Sequence, residues 1–315
     1  MSSPAVSTAS HFSTKGWVLF GIMAVIWGVP YLFIREAVQS FSPAAVVAIR
    51  TGGAALLLLP FALRQGALRP ALRKWPWVLA FAAIEMAGPF VLLAHAEQTI
   101  SSGLTGLLVA TVPLFATVIA VIRGDRSALR PMRAVGLVLG FAGVAWVALG
   151  SAGGAQGDLI AMAEVLAVAV LYSIAPFIVA RKLHDVPSLG SVTLALGAVG
   201  IVYLPIALLT QTEVPTGGAV LNVALLTVLC TAVAFIAFFA LIAEVGPVRA
   251  PLFTYINPIV AIALGIVILA EPLSLSLLLG FPVVIIGCVL AAGGIPRRAA
   301  SARVLPEPDP DPLPR

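Results

Sequence analysis

Three ionisable residues, Arg50, Glu85 and Glu164, lie within long runs of Ala, Leu, Val and Ile. An ionised side chain in an apolar medium costs about 2.5–3.5 kcal/mol on insertion scales, so such residues usually bind substrates, relay protons or pair internally. Arg50 could oppose a substrate carboxylate, and Glu85 an amine or a proton. The alternative is a salt bridge from Arg50 to Glu85 or Glu164 that only fixes packing. Glu164 is nearer the end of its run, which also fits a structural or water-exposed role.

Four aromatic residues and one amide accompany these charges and complete the predicted binding or coupling site. They are Trp27, Tyr31, Tyr172, Tyr255 and Asn257. Aromatic walls with a few polar groups suit an amphipathic organic substrate. Ordinary packing is the alternative for the aromatic residues. Asn257 is expected to face a cavity, because an unpaired amide in contact with lipid is costly.

Prolines inside the apolar runs are the next candidates, as hinges or kinks. They are Pro30, Pro89, Pro113, Pro176 and Pro258. Proline has no N–H for the carbonyl four residues earlier. At membrane depth that carbonyl must face protein, water or ligand. Each proline therefore either lines or hinges a cavity, or is a tolerated packing kink.

The sequence gives little support for metal binding, disulfide formation or catalysis. His95 and Glu97 lack a third metal ligand, so we interpret them as the polar end of a helix at the membrane interface. Cys230 and Cys288 both lie in apolar runs and indicate no disulfide framework. We predict no catalytic residues, no metal and no cofactor, and no nucleotide-binding motif is visible.

The elements that must position these residues are transmembrane helices. The 315 residues are 61% hydrophobic and only 10% charged, which indicates lipid as the solvent. Apolar runs of spanning length occupy approximately 16–34, 44–63, 75–95, 102–122, 134–150, 158–180, 188–209, 219–242, 247–269 and 273–294. Without strand-like alternation, segments of this kind are helices. The predicted fold class is an all-α integral membrane protein with ten transmembrane helices.

The distribution of Lys and Arg sets the predicted orientation. Sixteen of the 18 lie in the tails and loops on one side of ten spans, Arg35 lies on the other side, and Arg50 lies within a span. This positive-inside pattern places both termini in the cytoplasm of a multi-pass inner-membrane protein. It also accounts for the basic net charge of +5 without any nucleic-acid partner.

The ten spans divide into two halves related by a period near 145 residues. Pro43, Pro60 and Pro113 recur as Pro187, Pro205 and Pro258, while Gly136 and Gly143 recur as Gly280 and Gly287. Five helices in each half reverse the orientation of the second, which makes an inverted repeat suited to alternating access. The predicted divisions are a cytoplasmic tail at 1–15, repeats at 16–150 and 157–294, and a disordered cytoplasmic tail at 295–315.

The segment from Glu244 to Pro258, followed by Ala270-Glu271-Pro272-Leu273, resembles the second EamA repeat of the drug/metabolite transporter superfamily. Trp27-Gly28 and Ile49-Arg50 resemble the opening pattern of the family. One departure is Asp125-Arg126, where the family usually has a Gly-Glu-Arg-like turn. The resemblance implies a ten-helix transporter with a central cavity between its halves.

The predicted function is a secondary transporter that exports a small amphipathic metabolite, with amino acids or related compounds ahead of drugs. Its partners would be the substrate, the lipid bilayer and, if Glu85 couples transport, protons. A multidrug efflux carrier of the same family is the nearest alternative. A membrane-embedded enzyme would need a catalytic constellation at one depth, and a channel would need polar rings; neither pattern is visible.

Overall fold

A computed structural model describes residues 13–125, 130–151, 158–246 and 249–293. Within these ranges every regular element is helical. The described residues contain nine helices long and apolar enough to cross a membrane, and a tenth apolar helix of 17 residues follows them. The chain is therefore an all-α integral membrane protein with ten spans, as its sequence predicts. The predicted disordered tail lies outside the described residues.

The ten helices are numbered α1 to α10 in chain order. They are α1 Thr14–Ala37, α2 Pro43–Arg64, α3 Trp75–Ala96, α4 Ser102–Ile122, α5 Pro131–Ser151, α6 Leu159–Lys182, α7 Ser188–Thr210, α8 Gly217–Val245, α9 Ala250–Leu269 and α10 Leu275–Ala291. A short helix, Leu68–Arg73, joins α2 to α3. Helix α10 is shorter than its predicted span, because Ser274 caps its start by accepting a hydrogen bond from the Leu277 N–H.

Five of the described spanning helices contain irregular segments, four of them near the middle of the helix and one, in α9, in its first turns. Helix α1 breaks between Ile26 and Pro30, α4 breaks at Ala110 and Thr111, and the first turns of α9 are a 3₁₀ helix. Helices α3 and α8 each contain a π-helical segment, Ala83–Ala87 and Val228–Val233. The two π segments start about 145 residues apart, at equivalent places in the two halves. Such irregular backbone inside a membrane is tolerated only where it faces protein or a cavity.

Packing between the helices follows the same twofold pattern. Helix α2 packs along α7, and α5 packs along α10. Helix α1 packs against α8 and α9 of the other half, and α6 packs in the same way against α3 and α4. Each half therefore places its first helix among the third and fourth helices of the other half, as expected of an inverted repeat.

Glycine allows a close contact between α5 and α10. A Cβ added to Gly287 would lie 2.4 Å from the Cα of Gly140. Gly136, Gly143 and Gly280 also lie at this contact, which is where the sequence pattern places a scaffold of small residues. The α5–α10 pair is therefore closely packed along these glycines.

The two halves differ at their first helices. Helix α1 is broken next to Pro30, whereas α6 continues from Leu159 to Lys182 through the equivalent Pro176. Two halves of related sequence thus have different shapes in the same molecule.

Candidate functional site

A cavity of about 270 Å³ lies in the middle of the bundle, where the interrupted helices meet. Its walls are mainly apolar and come from both halves of the chain. Seven of the eight residues predicted to bind or couple line it: Trp27, Tyr31, Arg50, Glu85, Tyr172, Tyr255 and Asn257. An enclosed, mostly apolar space with a few polar groups is the usual form of a small-molecule site.

Arg50 is buried in the wall of this cavity. Its Nε donates to the Thr231 hydroxyl at 3.0 Å, and its guanidinium carbon lies 3.8 Å from the centre of the Phe90 ring. Thr231 in turn donates to the Leu226 carbonyl at 2.8 Å, within the π-helical region of α8. Among the described residues Arg50 forms no ion pair with Glu85 or Glu164, so the structure does not contain the salt bridge that was the alternative interpretation. The hydroxyl and the ring fix the guanidinium without neutralising its charge.

Glu85 lies on the π-helical segment of α3 and is partly exposed to the cavity. No described residue gives its carboxyl a hydrogen bond or an ion pair. The Tyr203 hydroxyl of α7 donates to the carbonyl of Ala87, the last residue of this segment, at 3.0 Å. A π segment of this kind turns side chains out of α-helical register and is frequent at functional sites.

Aromatic residues form the wall next to α1. The Trp27 ring lies 5.0 Å from the ring of Phe238, 5.4 Å from that of Phe253 and 6.0 Å from that of Phe235. The neighbouring Tyr31 is buried, yet its side chain also lines the cavity. This wall offers apolar contact area to an organic ligand.

Asn257 joins the breaks in α1 and α9. With its amide nitrogen turned toward them, the side chain donates to the carbonyls of Phe253 at 3.2 Å and Ala24 at 3.1 Å. The Ala24 carbonyl has lost its usual helical partner, since the Gly28 N–H bonds to Val25 instead. Asn257 therefore satisfies the interrupted backbone of the helix beside it.

Three of the five predicted hinge prolines, Pro30, Pro113 and Pro258, line the cavity. Each stands near the start of the second part of an interrupted helix. Pro89 follows the π segment of α3, and Pro176 lies within the continuous α6; neither lines the cavity.

Glu164 does not line the cavity that the other seven predicted residues share. Its carboxylate is 2.8 Å from Nδ1 of His95, and both side chains stand between α3 and α6. The structural role that the sequence offered as the alternative is the one that this geometry fits.

Glu97 does not form a polar end at the membrane interface, which corrects the interpretation of His95 and Glu97. The residue is fully buried at the end of α3. Neither carboxyl oxygen has a hydrogen-bond partner among the described residues. Counting charged neighbours in the sequence could not reveal this burial, because it results from contacts with other helices.

One end of the bundle is closed by contact between α4 and α9. We call this contact the distal gate, because it lies at the end opposite the start of α1; it comprises Ser102, Gly103, Gly106, Ala261, Ile262 and Glu271. A Cβ on Gly106 would lie 2.7 Å from that of Ala261, and one on Gly103 would lie 3.3 Å from the Ile262 Cα. No larger residue would allow the two helices to approach as closely.

A carboxylate fastens the distal gate. Glu271 Oε1 accepts from the Ser102 N–H at 2.8 Å, and Oε2 accepts from the Ser102 hydroxyl at 3.0 Å. Glu271 thereby caps the first turn of α4 from the loop that follows α9. The sequence identified Ala270-Glu271-Pro272 only as a family motif, and its partner on α4 was missed because no local pattern connects them.

At the opposite end the packing is different. The second part of α4 packs on α5, α6 and α10, and within the described residues the first turns of α9 pack mainly on α1, α8 and the rest of α9. The distal end is thus the more tightly sealed end of the cavity.

Comparison with known proteins gives a consistent result. The EamA-like transporter family matches residues 14–149 and again 159–293. The chain is 29% identical to the uncharacterized inner membrane transporter YedA of Escherichia coli K12 over 282 residues, which are 88% of this chain and 91% of that protein. It is 26% identical to the uncharacterized transporter YvbV of Bacillus subtilis 168, covering 86% of this chain and 90% of that one. A solved crystal structure with 21% identity has the same fold, with a TM-score of 0.61 over 88% of this chain and 96% of its own.

Proposed function

This chain belongs to the EamA-like transporter family, and from that premise we propose that it is a secondary carrier exporting a small amphipathic metabolite, with amino acids and related zwitterions as the first candidates. The relatives support a membrane transporter as such. The substrate, direction and mechanism proposed here rest on the cavity.

The observation that carries the proposal is that Arg50 and Glu85 share one cavity without pairing with each other. The guanidinium is fixed by Thr231 and Phe90, while the Glu85 carboxyl has no described partner. A ligand with a carboxylate and an amine would supply both missing counter-charges. Its apolar part would then contact the aromatic wall at Trp27.

Cavity size favours a metabolite over a drug. At about 270 Å³ the space is at the small end of the roughly 300–1,000 Å³ typical of sites for drug-sized ligands. An amino acid or a compound of similar size fits this limit, whereas a bulky drug would require the helices to separate.

We propose that both termini lie in the cytoplasm, because nearly all Lys and Arg of the loops lie on that side. The distal gate would then close the outer end, and the structure would represent an inward-facing state. Exchange of the broken shape of α1 with the continuous shape of α6 would open the outer end and close the inner one. Glu85 lies in the cavity, which would open to one side of the membrane in each state. It would bind a proton and the substrate amine alternately.

Transport by purified protein in liposomes tests the proposal. Vesicles preloaded with an unlabelled amino acid should accumulate the labelled one faster than empty vesicles. The matching amino-acid amide, which lacks the carboxylate, and the matching amine-free carboxylic acid should compete about 30-fold or more weakly, since each leaves one charge in the cavity unpaired.

If the amino acid, its amide and the amine-free carboxylic acid compete equally, the assignment of a zwitterionic substrate is wrong, although the protein would still be a transporter. Preference for large hydrophobic cations would favour multidrug efflux instead. Chemical conversion of the labelled compound would favour the alternative function, a membrane-embedded enzyme. If no candidate crosses faster than in empty vesicles, the carrier proposal fails.

A further inference from the structure

Glu97 is a buried acid that the proposed transport site does not use. It follows the last residue of α3 and lies beyond the distal end of the cavity. It has no exposed surface, and within the described chain neither carboxyl oxygen accepts or donates a hydrogen bond. A carboxylate in this position would lack both water and a partner, which is the costliest way to bury a charge.

Charged and titratable groups on α1, on α2 and in the loop after α9 act on Glu97. Arg35 and Tyr31 face it from α1, Arg50 from α2, and Glu271 from the loop after α9. The Arg35 guanidinium donates to the main-chain carbonyl of Glu97, and also to that of Ile100 at 3.4 Å. Arg35 thus binds the backbone at the end of α3 instead of the Glu97 carboxylate. On its own helix, His95 is paired with Glu164.

A second carboxylate makes ionisation of Glu97 still less favourable while the distal gate is closed. Glu271 occupies the start of α4, and its charge is needed there to accept from Ser102. Burial, and then the negative charge of Glu271, raise the pKa of Glu97 well above the usual range of a carboxyl. Arg35 and Arg50 act in the opposite direction but do not reverse it.

We propose that Glu97 is a proton-binding site of the distal gate: it holds a proton while α4 and α9 are in contact and releases it to the solution at the distal end when they separate. The proposal rests on the alternating-access function above. The carboxylate left after release becomes hydrated and is free to pair with Arg35. Closure takes the proton back from the same solution, so the proton balance of each opening is complete.

The sign of the pH dependence follows from the difference between the two states. Glu97 binds its proton more tightly in the closed state than in the open one, so low pH stabilises the closed gate and rising pH favours opening. One titrating group changes the open-to-closed ratio by at most about tenfold per pH unit. Low pH on the distal side therefore stabilises the state in which the distal gate is closed.

Infrared spectroscopy of the full-length protein in nanodiscs tests the protonation directly. A C=O stretching band from a protonated, buried carboxyl should persist at pH 7 and should disappear in Glu97→Gln. The control Glu213→Gln, which removes an exposed carboxyl of the same side, should leave the band unchanged. If the parent and Glu97→Gln show the same carboxyl band, the proposal is overturned.

Opening of the gate is measured by maleimide labelling of Ile262→Cys, a position packed against Gly103. Mass spectrometry follows residue 262 alone, so that Cys230 and Cys288 can be retained. Rates are divided by those of Thr212→Cys, an exposed distal position, to remove the pH dependence of the thiol. From pH 6 to pH 8 this ratio should rise severalfold in the parent and in Glu213→Gln, and it should stay flat in Glu97→Gln.

A ratio that rises equally in Glu97→Gln overturns the proposal. Should Glu97→Gln fail to accumulate, Glu97→Asp retains a titratable group with a shorter side chain, and its midpoint should shift; an unchanged midpoint counts against Glu97. Both measurements need no substrate. They can therefore succeed when the liposome assay shows no transport, and fail when it does.

Discussion

The Nε atom of Arg50, in the first half of the chain, donates a hydrogen bond to the hydroxyl of Thr231, in the second half, at 3.0 Å. Thr231 belongs to the π-helical segment of α8, and Glu85 belongs to the matching segment of α3. The two irregular segments of the inverted repeat therefore hold the positive and the negative side of one cavity.

Replacement of Arg50 should abolish recognition of the substrate carboxylate. We expect Arg50→Gln to raise KM about 30-fold or more, because loss of a buried charge partner costs at least about 2 kcal/mol. Arg50→Lys should restore little, since an ammonium group cannot both bond Thr231 and stack on Phe90 in the same geometry. The measurement is uptake into liposomes, with Arg64→Gln at the exposed end of α2 as the control. An unchanged KM in Arg50→Gln would contradict the assignment.

Replacement of Glu85 tests coupling. Glu85→Gln should strongly slow or abolish transport while the protein accumulates normally, because the amide keeps the shape but neither ionises nor binds a proton. The parent rate should vary between pH 5 and pH 8. Parent rates that are the same across that range would exclude a coupling role for Glu85. Glu213→Gln should behave as the parent does.

The Glu271 cap should determine how firmly the distal gate closes. Loss of a helix cap costs about 0.5–2 kcal/mol, so Glu271→Ala should raise the labelling rate of Ile262→Cys between about twofold and 30-fold. Glu271→Gln should have a smaller effect, since its amide oxygen still accepts from Ser102 but carries no charge. If Ile262→Cys is labelled at the same rate alone, with Glu271→Ala and with Glu271→Gln, the cap does not keep the distal gate closed.

Bulk at Gly106 should prevent closure of the distal gate. A valine there meets Ala261 at less than contact distance, so Gly106→Val should favour the state in which α4 and α9 are apart. The matched substitution Gly21→Val, in α1, meets no atom within 4 Å and controls for helix propensity. A double electron–electron resonance distance between labels on α4 and α9 should lengthen in the first variant only. Equal distances in both variants would contradict the gate.

Most of the fold could be predicted from the sequence because the bilayer imposes a simple rule. A spanning helix needs about 20 apolar residues, and the loops between such runs carry the basic residues. The ten predicted spans differ from the observed helices by only a few residues at most ends. Proline removes a backbone donor, so the sequence also marked Pro30, Pro113 and Pro258 as candidate breaks, but it marked Pro176 equally, and α6 is continuous there.

The residues of the candidate site could be predicted from the sequence only in part, and the structure was needed for the rest. Residue type and membrane depth were sufficient to select Arg50 and Glu85, because a charge in an apolar run is conspicuous. They failed for Glu164, which pairs with His95, and for Glu97, whose burial no neighbouring residue indicates. The π segments were invisible as well, since Ala83–Ala87 and Val228–Val233 contain neither proline nor glycine.

By itself, then, the sequence determined the solvent, the number of spans, the twofold repeat and the family, because each depends on hydrophobicity or spacing along the chain. Only the tertiary structure decided which end of the cavity is sealed, that Glu271 caps α4, and that Arg50 is held by Thr231 and not by an acid. Those contacts join residues about 170 to 180 positions apart, so they depend on how the two halves pack. Local composition carries no record of such packing.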